Sequence, residues 1–289
     1  MSVKSSVLAD KTQKLIREPT VVIEPSRGWF NLQLSALWDY RELVYFLVWR
    51  DIKVRYKQSV LGISWIIIQP VVTMIVFTLV FNRFLGIGAD SEIPYPIFTY
   101  VALLPWTYFA GSLNRGAIAL VGNRGLISKI YFPRLIIPVA NVLPGLVDFA
   151  IAFVVLLGMM AYYNFALTAQ VLLLPLALFL AVVTALGVGL WLSALNVQYR
   201  DIQYVTPFLI QIWMYATPII YPITTVPEQW RWLYSLNPMV GVVQSFRWAL
   251  LGDASFGGIN WTSVVIALLI LISGLIYFRR SERVFADVV

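Results

Sequence analysis

The sequence predicts an all-α integral membrane protein: six transmembrane helices, an N-terminal interface helix, and two short re-entrant helices between the fifth and sixth spans. Three observations carry this. Of the 289 residues, 60% are apolar and 12% charged, against about a quarter charged in soluble domains. Helices facing hydrocarbon need that excess, because their outward surfaces meet lipid instead of water. Apolar runs close to bilayer length recur along the chain, and the lysines and arginines concentrate on alternate connecting segments.

Residues 1–34 read as a polar cytoplasmic arm carrying Lys4, Lys11, Lys14, Arg17 and Arg27, with no apolar core of the signal-peptide kind. The first span is then expected to serve as the insertion signal. Residues 35–61 hold an amphipathic helix. Within it Trp49, Ile52 and Tyr56 recur at i, i+3, i+7, and so do Arg50, Lys53 and Lys57. One face is apolar and another basic, the pattern of a helix lying in the membrane interface. A basic juxtamembrane helix that only sets orientation has the same pattern.

The membrane domain covers 62–280. Its apolar runs are 62–81, 97–120, 135–163, 171–195, 204–221 and 261–278. The third exceeds the length required and contains Pro138 and Pro144, so its first part reads as a lead-in. Prolines inside such runs are tolerated where neighbouring helices satisfy the freed carbonyls. Residues 281–289 are expected to form a cytoplasmic tail. Six spans put both ends on one side, and 18 of the 21 lysines and arginines fall there. Arg115, Arg124, Lys129 and Arg134 supply the second connection, while only Arg83, Arg231 and Arg247 fall opposite. The positive-inside rule places both termini in the cytoplasm. The net charge of +7 then follows from orientation, with no nucleic-acid partner implied.

Two connections do more than join spans. The stretch 126–134, between Gly125 and the segment around Pro133, is expected to be a short amphipathic helix. It turns Leu126, Ile127, Ile130, Tyr131 and Phe132 toward the cytoplasm beside Lys129 and Arg134. Exposed apolar side chains on a short element mark a partner contact, or a stretch dipping back into the interface. Between the last two spans, EQWRWLYSL and NPMVGVVQSFRWALLG read as two short helices within 228–251, with Pro227 and Pro238 at their starts. Each is too short to span. They could cap a pore or float as an interfacial hairpin.

The chain has neither cysteine nor histidine. That removes disulfides, thiolates and the commonest general base and metal ligand. No GxxxxGK[ST] loop or HExxH pair is present, so no catalytic, metal or cofactor site is expected. Asp148 is the one acid well inside a run. An intramembrane carboxylate is costly and is a functional candidate. A structural role, in which it could share a hydrogen-bonded contact with Asn141 on the same face, leads over a role in translocation or in proton coupling. Eight aromatic residues fall between Tyr204 and Tyr234, including Trp230, Trp232 and Tyr234. Interfacial belts account for most of them, but Phe208, Trp213 and Tyr215 lie deeper. Tyr204, Phe208, Gln211 and Tyr215 share a helical face, with Trp213 about 200° from Tyr215. The stripe is expected to face a pore and Trp213 to pack. Aromatic rings suit a sugar polymer, because ring faces stack on C–H groups.

Four blocks in order, WRDIKVRYKQSVLGISWIIIQP, LISKIYFPRLIIPVANV, NVQYRDIQYVTPFLIQIWMYATPIIYP and LNPMVGVVQSFRWALLG, together resemble the permease subunit of ABC exporters for bacterial surface polysaccharides. That group includes Wzm-type O-antigen permeases and the permeases for capsule and teichoic acid. The resemblance covers about residues 35–285. It implies a homodimer in the bacterial inner membrane, embedded in membrane lipids and moving a lipid-linked polysaccharide. Two separate cytoplasmic ABC ATPase subunits would hold ATP and Mg. It also implies that Leu126–Arg134 docks on the ATPase, that the helices at 228–251 form an external gate, and that the first, second and fifth spans line a channel between protomers. An ABC permease for a drug or small lipid is the nearest alternative. A membrane-embedded glycosyltransferase or acyltransferase is another, and the missing acid/base residues argue against it.

Overall fold

The structure is a computed structural model that describes residues 38–57, 62–88, 93–252 and 260–288, with side chains to Glu282. The expectations for the arm at 1–34, for 58–61 and for Arg283 lie outside the described residues or side chains. Every regular element among the described residues is helical. The first described element is α1 (Arg41–Lys57). Next, α2 (Ser64–Phe77) passes directly into a π-helical segment, Thr78–Phe84. The long α3 (Tyr95–Gly122) is followed by the single turn α4 (Arg124–Ile127). Then come α5 (Ile136–Val142), α6 (Gly145–Tyr162) and α7 (Leu174–Gln198), the last entered through a 3₁₀ turn. The remaining helices are α8 (Ile202–Tyr215), α9 (Glu228–Ser235), α10 (Pro238–Leu251) and α11 (Trp261–Val288).

Among the described residues, four stretches are long and apolar enough to cross a membrane: Ser64–Phe84, Ile136–Tyr162, Ala169–Gln198 and Trp261–Glu282. At 28 residues α3 has the length but mixes Tyr, Trp, Ser, Asn and Arg into its apolar run. α8 has 14 residues, which at about 1.5 Å each is about 21 Å, short of a hydrocarbon core of about 30 Å. The run expected at 204–221 therefore stops being helical at Tyr215. Pro218 disfavours the helical conformation of the residue before it, and Pro222 lies just beyond. Pro144 likewise separates the lead-in α5 from α6, because a proline offers no N–H to the preceding turn. Conversely α11 runs through Val288, beyond the expected end of the span at 278. An Arg279–Glu282 pair at 2.8 Å and i,i+3 spacing supports the continuation.

α3 lies at the centre. Ile97, Tyr100, Leu103, Leu104, Phe109 and Leu113 are buried against α6, α7, α8 and α10. Glycines let α7 approach closely. A Cβ on Gly187 would meet Leu271 of α11 at 2.8 Å, and one on Gly274 would meet the Gly187 carbonyl at 2.5 Å. Small residues at such crossings let membrane helices pack by van der Waals contact. A second core joins Leu47 of α1 to Ile136, Ile137 and Ala140 of α5, with Leu120, Leu190 and Phe278. The face of α1 that packs runs through Leu43, Val44, Leu47 and Val48, leaving Trp38, Tyr45, Phe46, Trp49 and Val54 exposed. Lys53 lies over the Trp49 ring at 5.3 Å. Ile52 and Tyr56 are half-buried and Lys57 is exposed.

α10 starts and stops as its sequence dictates. Asn237 caps it by accepting from the Met239 N–H at 3.0 Å, Pro238 occupies the first turn, and Gly252 ends it at φ 71.

Candidate functional site

The connection after α3 is less helical than its sequence suggests. The helix expected over 126–134 is replaced by α4, which ends at Ile127, followed by turns and an irregular stretch at 131–133. Pro133 disfavours helix at Phe132. Lys129, Ile130 and Tyr131 project outward, with Tyr131 70% exposed. Phe132 is 5% exposed and packs in the second core, so it presents little surface here. Leu126 and Ile127 are half-buried against that core. Arg134 is turned to its own chain, donating to the Glu282 carbonyl.

Beside this connection lies a charge cluster. Arg50 of α1 donates to Asn123 Oδ1 at 2.9 Å, just ahead of α4, and also pairs with Asp51. Five residues on, Arg55 and Tyr56 both donate to the carboxylate of Asp148. Arg115 approaches the same carboxylate at 3.9 Å. It also donates to the Asn141 carbonyl at 3.2 Å and to Ser112 Oγ at 3.1 Å. Burial, and next the bond to Asp148, push the Tyr56 phenol above its ordinary range, so it remains a donor. One expectation is corrected: Arg115 belongs to α3, not to a loop. Asp148 stands in the first turn of α6, within the long apolar stretch Ile136–Tyr162. Asn141 reaches Asp148 only through Arg115; its own amide donates to the Ile137 carbonyl. The sequence signal was the lone acid. Nothing in the spacing pointed to partners 93 and 33 residues away.

The third group surrounds the end of α8. Tyr204, Phe208, Gln211 and Tyr215 lie on the exposed side of the helix. Trp213 turns the other way, edge-on to Phe109 with centroids 5.0 Å apart, and donates Nε1–H to Asn237 Oδ1 at 2.9 Å. Asn237 donates in turn to Thr217 Oγ1 at 3.0 Å. Tyr221 and Tyr234 hydroxyls lie 3.0 Å apart, tying the chain after α8 to α9. Trp230 and Trp232 are exposed and Tyr234 is half-buried. Arg247, counted by sequence among the three basic residues on the opposite side, is fully buried. It donates to the carbonyls of Pro218 at 2.6 Å, Ile219 at 2.8 Å and Phe98 at 3.4 Å, and its guanidinium lies over the Phe98 ring at 3.5 Å. Where α8 stops, carbonyls lose their helical donors, and Arg247 supplies replacements.

An apolar cavity of about 620 Å³ between α2 and α6, lined by Val71, Met74, Thr78, Val155, Gly158 and Tyr162 among others, contains none of these groups.

The ABC-2 type transporter family matches residues 42–251. The O-antigen export system permease protein RfbA of Myxococcus xanthus is 33% identical over 217 residues, covering 74% of this chain and 82% of its own length. RfbA of Klebsiella pneumoniae is 27% identical over 252 residues, 86% of this chain and 95% of that protein. The polysialic acid transport protein KpsM of Escherichia coli is 25% identical over 238 residues, covering 81% and 91%. The family match runs from the first turn of α1 to the last residue of α10, and the chain belongs to the ABC-2 type transporter family.

Proposed function

We propose that this chain is the permease subunit of an ATP-driven exporter that moves a lipid-linked polysaccharide of the O-antigen, capsule or teichoic-acid class out of the cytoplasm. In this reading it is a multi-pass protein of the bacterial inner membrane, with six crossings and both ends cytoplasmic. Two copies enclose the path, and two cytoplasmic ABC ATPases bearing ATP and Mg drive it. The relatives named for O-antigen and polysialic acid transport support the substrate class. The four long apolar stretches account for four crossings. α3 supplies another by length, and α8 with the turn residues after it supplies the last. α9 and α10 then form a re-entrant external hairpin, and the projecting Ile130 and Tyr131 meet the ATPase.

The observation that carries the reading is the face of α8. Tyr204, Phe208, Gln211 and Tyr215 combine rings with polar edges on the side turned away from the protomer's own core. A sugar chain can slide along rings without a single strong site to hold it. Deleting the chain in its host, with and without a plasmid copy, is the direct test. Surface polysaccharide should disappear while lipid-linked polymer accumulates inside, and the plasmid should restore it. Normal surface polysaccharide in the deletion strain would refute the reading.

A further inference from the structure

We infer that Asp148 is a positioning residue for coupling: it ties the C-terminal end of α1 to the first turn of α6 and to α3, so that α1 carries movement of the α3–α5 connection into the spans. The inference rests on the proposed ATP-driven export.

α1 is held at two separate points. Near its middle, Arg50 bonds Asn123, the residue immediately before α4. Asn123 also donates to the Ala119 carbonyl at 2.9 Å, so this tie reaches the last turn of α3. Near its end, Arg55 and Tyr56 converge on Asp148. Five residues of helix separate the ties, about 7.5 Å along a rigid axis. Between the ATPase-facing connection and the third span, α1 is therefore a strut with a polar joint at each end.

Packing alone does not require the second joint. Leu47, 3% exposed, already seats α1 on α5. The joint is also chemically asymmetric. One carboxylate faces two guanidinium groups, and the side chains of Arg55, Asp148 and Arg115 are 32%, 23% and 21% exposed. Half-sheltered charges cost desolvation, and apolar residues of similar volume often stabilise a fold as well. What a directional ionic joint provides over an apolar one is a geometry that either forms or breaks. Arg115 makes the joint three-way, because it also grips Ser112 on its own helix and the Asn141 carbonyl on α5.

The test uses the permease with its ATPase in proteoliposomes and reads two quantities. The first is polymer exported per ATP hydrolysed. Asp148→Asn should lower that ratio about tenfold, within the range reported for coupling networks. Arg55→Gln added to Asp148→Asn should cost little more, because both remove the same joint. Asp148→Glu, which keeps the carboxylate, should restore most of the ratio. The second readout needs no export: the mobility of a spin label at Val54→Cys, an exposed α1 position in a cysteine-free chain. The label should be restrained in the otherwise unchanged protein and freed by Asp148→Asn. A label freed with the ratio unchanged would reduce Asp148 to a structural contact and overturn the proposal. A ratio lost with the label still restrained would overturn it too, placing Asp148 elsewhere in the transport path. If the unmodified complex exports no polysaccharide, the substrate reading fails. The tether is then judged on whether ATP turnover shifts the label, and on whether Asp148→Asn abolishes that shift.

Discussion

Arg247 shows how much a single side chain can decide. Its guanidinium satisfies carbonyls on two other segments in a fully buried site. Charge-assisted bonds of this kind contribute about 1.5–3 kcal/mol each, and an orphaned buried acceptor costs a similar amount. Arg247→Met should therefore destabilise the folded protein by about 3 kcal/mol or more, measured as a lower unfolding midpoint in detergent. Arg247→Lys should lose less, since one ammonium can still reach a carbonyl but cannot reproduce the planar fork. An unchanged midpoint in Arg247→Met would show that the carbonyls find other donors. At this scale the sequence was least legible. Asp148 was conspicuous as an isolated acid, but its partners lie on other helices, and only tertiary packing brings them together. Phe132 looked exposed because it sits in a connection. In the structure it fills the gap between α1 and α5.

Helical periodicity was more informative. The offsets of 4 and 7 that group Tyr204, Phe208 and Tyr215 correspond to one side of α8 in space, with Trp213 turned inward. Replacing Phe208 and Tyr215 with Ala should impair export of long polymers more than it changes ATP hydrolysis, measured by product length and phosphate release together. Trp213→Leu removes a hydrogen bond and an edge-to-face contact, together about 1–3 kcal/mol, and should lower stability more than it changes product length. Sensitivity of product length to Trp213 with a silent stripe would reverse the face assignment. Periodicity could not show where helices end. The pattern continues past Tyr215, but Pro218 and Pro222 interrupt it. The same limit applied to the coupling segment, where amphipathic spacing suggested nine helical residues and only Leu126 and Ile127 of them are helical.

For the whole molecule, composition and charge asymmetry made the membrane class and a multi-pass topology legible. The number of crossings was harder to read, because α3 hides its length in a mixed sequence and α8 is short. The chain's lack of cysteine makes the proposed topology directly measurable. Single cysteines at Lys129 and Ser281 should resist a membrane-impermeant thiol reagent in intact cells, whereas one at the exposed Glu228 should react. Reaction at Lys129 with protection at Glu228 would invert the topology. Protection at all three would remove the external hairpin.

The burial of Arg247 also constrains the order of biogenesis. Its Phe98 acceptor lies 149 residues earlier, so at about 5–20 residues per second of synthesis roughly 7–30 s separate the making of the two groups. Pro218 and Ile219 are made only shortly before Arg247, so the chain after α8 and the α10 helix leave the ribosome almost together. During that interval nascent α3 holds an acceptor that the finished fold keeps dry. The arginine itself must pass the translocon while still hydrated and give up its water only when α10 settles against α3. The last assembly step of this region is thus the docking of a charge, and a ribosome stalled before residue 247 would leave α3 and the segment at Pro218–Ile219 without the side chain that joins them.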